Sequence, residues 1–242
     1  MGISRGMHDT GKNGPTERRL RARPAQEMVA TVGPGGLQSI GVGVTRGDYL
    51  LHVPETYQTA SPAPLMLWLH GAGGRARAFL SSELQGQADA AGMLLLVPTS
   101  KEYTWDVVVG RGRYRPDVAV IDRVLESTFN HYAVDPARVA VGGFSDGASF
   151  ALSLGITNGD LLTHVLAFSP GFMVPAETRG SPRVFISHGT RDEVLPIDRC
   201  SRRIVPQLER AGYDIRYREF EGGHAVPPDV AREAIGWFVA PV

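Results

Sequence analysis

Residues 138–154, RVAVGGFSDGASFALSL, decide how this chain folds. The apolar run Val139–Val141 has the composition of a buried strand, and DGASFALSLGI (146–156) that of a helix. Between them Gly143-Phe144-Ser145-Asp146-Gly147 matches G-x-S-x-G. A serine can occupy so sharp a strand-to-helix turn only if the flanking positions carry no side chain, and Gly143 and Gly147 meet that demand. Such a turn lifts the Ser145 hydroxyl above the strand ends. It also sets the N–H of Asp146 at a helix N-terminus, where the partial positive charge favours an anion. The plainer reading is a glycine-rich turn with a capping serine; the strand-to-helix context favours a nucleophile.

Outward from this turn the same alternation repeats. PLMLWLH (64–70), MLLLVP (93–98), THVLAFS (163–169), PRVFISH (182–188) and DIRYREF (214–220) read as strands. Most are continuously apolar, as in strands buried on both faces of a parallel sheet. Helical spacing is expected over 75–92, ending at Gly92, and over 116–132, 197–212 and 227–239. Pro206 is expected to kink the third of these. LQSIGVGVT (37–45) and DYLLHVP (48–54) read as two leading strands joined by a turn at Arg46-Gly47-Asp48. The expected fold is α/β: a mostly parallel, twisted sheet with helices on both faces and no large cap domain. Two irregular stretches remain, about 99–115 and 169–182.

Bulk properties narrow the partners. The 242 residues suit one domain, and 25 Lys plus Arg against 25 Asp plus Glu leave no net charge to attract nucleic acid or an anionic membrane. No run is long and apolar enough for a membrane span. Cys200 stands alone, so no internal disulfide forms. Residues 1–36 are polar and rich in Gly and Arg, without the apolar core of a secretory signal. They are expected to be a disordered N-terminal tail preceding a domain over 37–242, in a cytoplasmic protein.

A serine hydroxyl needs a base. Of seven histidines, His224 is the one placed after the last strand and before the last helix, in EFEGGHAVPPD (219–229), where Gly222 and Gly223 give the loop freedom. His8 lies in the tail, and His52, His131 and His164 read as structural or solvated. The orienting acid belongs between Ser145 and His224, in RVFISHGTRDEVLPID (183–198). Asp192 is the first candidate, ahead of Glu193 and Asp198; Asp198 is more simply a helix N-cap. LWLHGAGGRA (67–76) ends a strand in a glycine-rich loop that can aim backbone N–H groups at a small anion. The N–H groups of Ala72 and Asp146 are therefore the candidate oxyanion hole. His70 and His188, each preceding a glycine, are expected to brace these loops. The loop lacks the Lys-Ser/Thr of a P-loop.

Taken in order, LHGAGG (69–74), GFSDG (143–147), SHGTRDEVLP (187–196) and EGGH (221–224) resemble the phospholipase/carboxylesterase branch of the α/β-hydrolases. Residues 117–147 are similar also to polyhydroxybutyrate depolymerase-like esterases. The resemblance covers about 45–240 and implies the α/β-hydrolase fold. It maps the family's nucleophile onto Ser145, its acid onto Asp192, its base onto His224 and its oxyanion donors onto the backbone of Ala72 and Asp146. One position departs: the residue after the nucleophile, often Gln in that branch, is Asp146 here. A carboxylate beside a developing oxyanion is unfavourable unless it points away or is paired.

The expected function is hydrolysis of carboxylic esters through an acyl-serine, on a small-molecule substrate, with no metal or organic cofactor implied. Trp105, Phe172 and Met173 are the candidate substrate-binding side chains. The same triad also serves thioesterases, acyltransferases and peptidases, and a non-catalytic binding protein on the same fold is the remaining alternative.

Overall fold

Strand side chains alternate between two apolar layers, as the twofold period of an extended chain requires. Leu65, Leu67 and Leu69 belong to one cluster, Met66 and Trp68 to the other. The same division recurs at Val139 and Val141 against Ala140, and at Val184 and Ile186 against Phe185. Both faces are thus dry, which is why these strands read as continuous apolar runs. The computed structural model describes residues 19–24, 35–40, 49–74, 76, 80–110 and 116–241.

Eight strands form one sheet: β1 (Gly36–Ile40), β2 (Tyr49–Val53), β3 (Ala63–Leu69), β4 (Leu94–Val97), β5 (Val134–Phe144), β6 (His164–Phe168), β7 (Arg183–Gly189) and β8 (Ile215–Phe220). Their spatial order is β1-β2-β4-β3-β5-β6-β7-β8. β1, β2 and β4 pair antiparallel, and all remaining pairs are parallel. The helices are α1 (Ser82–Ala90), α2 (Asp106–Val109), α3 (Asp117–His131), α4 (Asp146–Thr157), α5 (Ser201–Arg210) and α6 (Pro228–Val239). Leu84 and Ala88 of α1 pack with Val230, Ala234 and Phe238 of α6 in one layer. Ile121 and Leu125 of α3, Ala151 of α4 and Ile204 of α5 pack in the other. Among the described residues, no helix is long and apolar enough to cross a membrane.

Four local expectations change. Helix α1 starts at Ser82, because Ser81 caps it by accepting from the Leu84 N–H at 3.1 Å. Helix α5 starts at Ser201, not at Ile197, which lies in a separate 3₁₀ turn, and it contains Pro206 at an exposed position. Asp198 is not a helix cap: it lies in a short 3₁₀ turn (Ile197–Arg199), exposed and paired with Arg202 at 2.8 Å. Part of the expected tail is docked. Leu20 and Ala22 are buried, and the Leu20 N–H donates to Asn158 Oδ1 at 2.8 Å. The N–H groups of Arg21 and Ala22 both donate to Asp122, while Arg19 and Arg23 meet Asp160 at 2.7 Å. A leucine and a fitted set of charge partners give these six residues enough to offset their ordering. The rest of the tail to Pro34, and the expected turn at Arg46-Gly47-Asp48, lie outside the described residues.

Candidate active site

The parallel strands β3, β5, β6, β7 and β8 all end on one side, and the chemistry-bearing residues follow their carboxyl ends. Ser145 sits at φ 58°, ψ −119°, between β5 and α4. That left-handed conformation strains a serine and persists only where the surroundings enforce it. The enforcement is steric. A Cβ on Gly147 would stand 2.1 Å from the Leu69 carbonyl oxygen, and one on Gly143 would stand 2.6 Å from the Gly147 backbone. Ser169, directly after β6, is the other non-glycine residue with positive φ among those described, at 51°.

His224 lies in the loop between β8 and α6, its ring 4.6 Å from that of Phe144. Its Nε2 is 2.8 Å from Ser145 Oγ, and its Nδ1 is 2.6 Å from Asp192 Oδ2. What seats the loop is Gly189 at the end of β7. A Cβ there would stand 2.3 Å from the Gly223 carbonyl oxygen. Arg191 N–H then donates to the Gly222 carbonyl at 2.9 Å.

Asp192 has no exposed side-chain surface. Its Oδ1 accepts from the N–H groups of Val194 and Leu195 at 3.0 and 2.8 Å. Burial alone would raise its carboxyl, yet the Leu195 N–H and His224 outweigh burial and hold it below the usual carboxylate range. It is therefore ionised at neutral pH and ready to accept from an imidazole. Glu193 is exposed and Asp198 faces Arg202, so neither joins the group around His224.

The oxyanion candidates are held from below. A Cβ on Gly71 would be 3.5 Å from Ser145 Cβ, which sets this loop beside Ser145. His70 braces it, Nδ1 bonded to the Gly71 carbonyl and Nε2 accepting from Ser100 N–H at 3.0 Å. Gly73 N–H donates to the Tyr103 carbonyl at 2.8 Å. The Ala72 N–H donates to no described residue, and the Asp146 N–H stands in the first turn of α4. The Asp146 carboxylate is turned aside: Oδ2 accepts from the Thr104 hydroxyl at 2.6 Å.

Trp105 is not a substrate contact. It is 1% exposed, its indole N–H donates to the His70 carbonyl at 2.7 Å, and it packs on the His70 and Phe150 rings. It supports the loop from beneath, because an indole that finds both an apolar bed and a carbonyl acceptor is most stable buried. Phe172 and Met173 are half-buried against the core, in a segment fastened to α4 by a row of hydroxyls. Ser149 accepts from Gly171 N–H, Ser153 from Val174 N–H and Thr157 from Ala176 N–H. Each hydroxyl donates back to the carbonyl four residues earlier.

Sequence reasoning missed Thr104 and the contacts of His188. Thr104 meets Asp146 across 42 positions of chain, in a stretch with no periodicity to read.

The sequence model of the Phospholipase/Carboxylesterase family matches residues 118–236. Among curated proteins, a probable feruloyl esterase C of Aspergillus oryzae is 26% identical over 159 residues, covering 62% of this chain and 57% of that protein. The putative esterase NocK of Nocardia uniformis is 31% identical over 196 residues, covering 77% of this chain and 54% of that protein. The chain thus spans somewhat more than half the length of these relatives. Among solved structures, esterase PE8 superposes with a TM-score of 0.65 at 22% identity, over 84% of this chain and 97% of that one. A CE1 ferulic acid esterase of Anaeromyces mucronatus, in complex with ferulic acid, gives 0.64 at 17% identity, over 84% and 87%.

Proposed function

We propose that this chain, which has the α/β-hydrolase fold, is a serine hydrolase of carboxylic esters. The observation that carries this reading is the unbroken chain Ser145 Oγ, His224 and Asp192 Oδ2, at 2.8 and 2.6 Å, with Ser145 held in a strained elbow. Distances of this size allow proton transfer without rearrangement.

In the proposed reaction, His224 Nε2 takes the Ser145 proton as Oγ attacks the ester carbonyl. The Nδ1–H of His224 stays on His224 and donates to ionised Asp192, which stabilises the imidazolium. The negative charge on the former carbonyl oxygen is received by the N–H groups of Ala72 and Asp146; such donors are worth about 2.7–4 kcal/mol each where one has been removed. Collapse expels the alcohol, protonated by His224, and leaves an acyl-serine. Water, deprotonated by the same imidazole, then releases the acid and restores Ser145. With Asp146 tied to Thr104, no free carboxylate opposes the oxyanion.

Feruloyl esters are the first substrates to test, since curated relatives bear that name. A thioester is the second reading, favoured by 27% identity over 104 residues to acyl-protein thioesterase 1 of Gibberella zeae. Methyl ferulate, p-nitrophenyl acetate, an acyl thioester and an anilide should be assayed side by side. Esters are expected to turn over fastest. Hydrolysis of none of them would contradict the proposal.

A further inference from the structure

Behind the triad lies a second imidazole with no exposed surface. His188, on β7, places Nε2 2.7 Å from the Leu195 carbonyl oxygen and 3.2 Å from Asp192 Oδ2. Its Nδ1 is 2.7 Å from the Ser201 hydroxyl at the start of α5. Both partners of Nε2 are acceptors, so Nε2 carries the hydrogen. Nδ1 then takes its hydrogen bond from the Ser201 O–H, which leaves the ring neutral. Burial, pushing the imidazole below its ordinary value, works in the same direction. The nearest charged group on the neighbouring strand, Glu219 on β8, is engaged by Arg202 at 2.6 Å.

We propose that His188 is a positioning residue for the reaction: a neutral imidazole, oriented by Ser201, that clamps Asp192 at Oδ2, the same oxygen that His224 meets. The proposal rests on reading Ser145, His224 and Asp192 as the reacting groups. Asp192 Oδ2 is held between two imidazoles, while Oδ1 is fixed by the Val194 and Leu195 N–H groups. With both oxygens pinned, the carboxylate cannot rotate away from His224 Nδ1 during turnover. Neutrality matters as much as contact. A cationic ring at this distance would oppose the imidazolium that His224 becomes, whereas a neutral donor steadies the carboxylate without that repulsion.

The test uses reach. In place of His188, a Gln amide carries its N–H to about the position of Nε2, while an Asn amide stops near Nδ1. His188→Asn should lower kcat about 10- to 100-fold, the loss seen when a partner that orients a metal-binding side chain is removed, with KM nearly unchanged. Its fluorophosphonate labelling of Ser145 should slow in parallel. The acidic limb of its kcat/KM profile should move to higher pH, because an Asp192 relieved of one donor holds the His224 proton more strongly. His188→Gln should recover most of kcat and the original limb. Equal losses in both variants with an unmoved limb, or no loss in either, would overturn the proposal. Should His188→Asn fail to fold, ¹⁵N spectra of the wild-type histidines decide. His188 should hold the Nε2–H neutral form from about pH 5 to 8; a protonated or Nδ1–H ring would overturn it. Wild-type behaviour of His188→Asn beside a dead Ser145→Ala would sink the clamp alone, and an active Ser145→Ala would sink the underlying reading.

Discussion

At the scale of single residues, the proposed reaction depends on which carboxylate faces His224 and on where the Asp146 carboxylate points. Asp192 is buried with Oδ2 on His224 Nδ1, while Asp198 is exposed on Arg202. Asp192→Asn should therefore lower kcat by up to about 10⁴-fold, as a comparable change does elsewhere. Asp198→Asn should leave steady-state kinetics near wild type; the reverse pattern would move the acid to Asp198. Thr104→Val frees the Asp146 carboxylate beside the oxyanion position. A hydrogen bond to a charged group is worth about 1.5–3 kcal/mol, so kcat should fall about tenfold or more with KM little changed. An unchanged kcat would mean that the carboxylate stays turned away unaided. That Ser145, Asp192 and His224 come within hydrogen-bond distance of one another is legible in the sequence, because each sits in a short motif whose glycines and chain order constrain the backbone. Thr104 was not, since its partner is fixed only by the folded loop. Trp105 was misread because an aromatic residue in a long loop looks the same from sequence whether it lines a cleft or lies beneath one.

At the scale of elements, the strand and helix alternation could be read directly, while the segment between β4 and α3 could not. That segment carries α2, Thr104, Trp105 and the carbonyl that receives Gly73, so it forms the underside of the 70–74 loop. It is tied to α3 by a reciprocal pair. Asp106 N–H donates to Asp117 Oδ2 at 2.8 Å and Asp117 N–H donates to Asp106 Oδ2 at 3.1 Å. Burial, and then the neighbouring Asp117, push the Asp106 carboxyl up to about 7. The folded chain thus keeps a proton that the unfolded chain releases near pH 4. Between those values the folded state binds more protons, so this contribution to stability is full below about pH 4 and is lost as pH rises through about 7. Asp106→Asn cannot ionise, and its amide oxygen still accepts from Asp117 N–H. Thermal unfolding followed from pH 4 to 8 should give a flatter Tm profile for Asp106→Asn than for the wild type. Parallel profiles would show that Asp106 does not keep its proton on folding.

At the scale of the whole molecule, the sheet places the ends of its six parallel strands, β3 to β8, on one side, and Ser145, Asp192 and His224 follow three of them, but the docked segment at 19–24 lies elsewhere, against α3 and the end of α4. Composition could not find it: its basic residues look solvated until Asp122, Asn158 and Asp160 are brought to meet them. Removing residues 1–24 exposes the site of Leu20, whose burial alone is worth about 1.5–3 kcal/mol. At this chain length about 2–4 °C of Tm accompanies each kcal/mol. The truncated protein should melt several degrees lower with an unchanged kcat; an unchanged Tm would show that the segment contributes nothing. On the proposed reading, the folded chain activates one hydroxyl. Intact-mass measurement after treatment with a fluorophosphonate tests it most directly. The wild type should gain a single adduct, mapped to Ser145, and Ser145→Ala should gain none and lose ester hydrolysis. An adduct of equal yield on Ser145→Ala, or a wild type that takes up no probe, would contradict it.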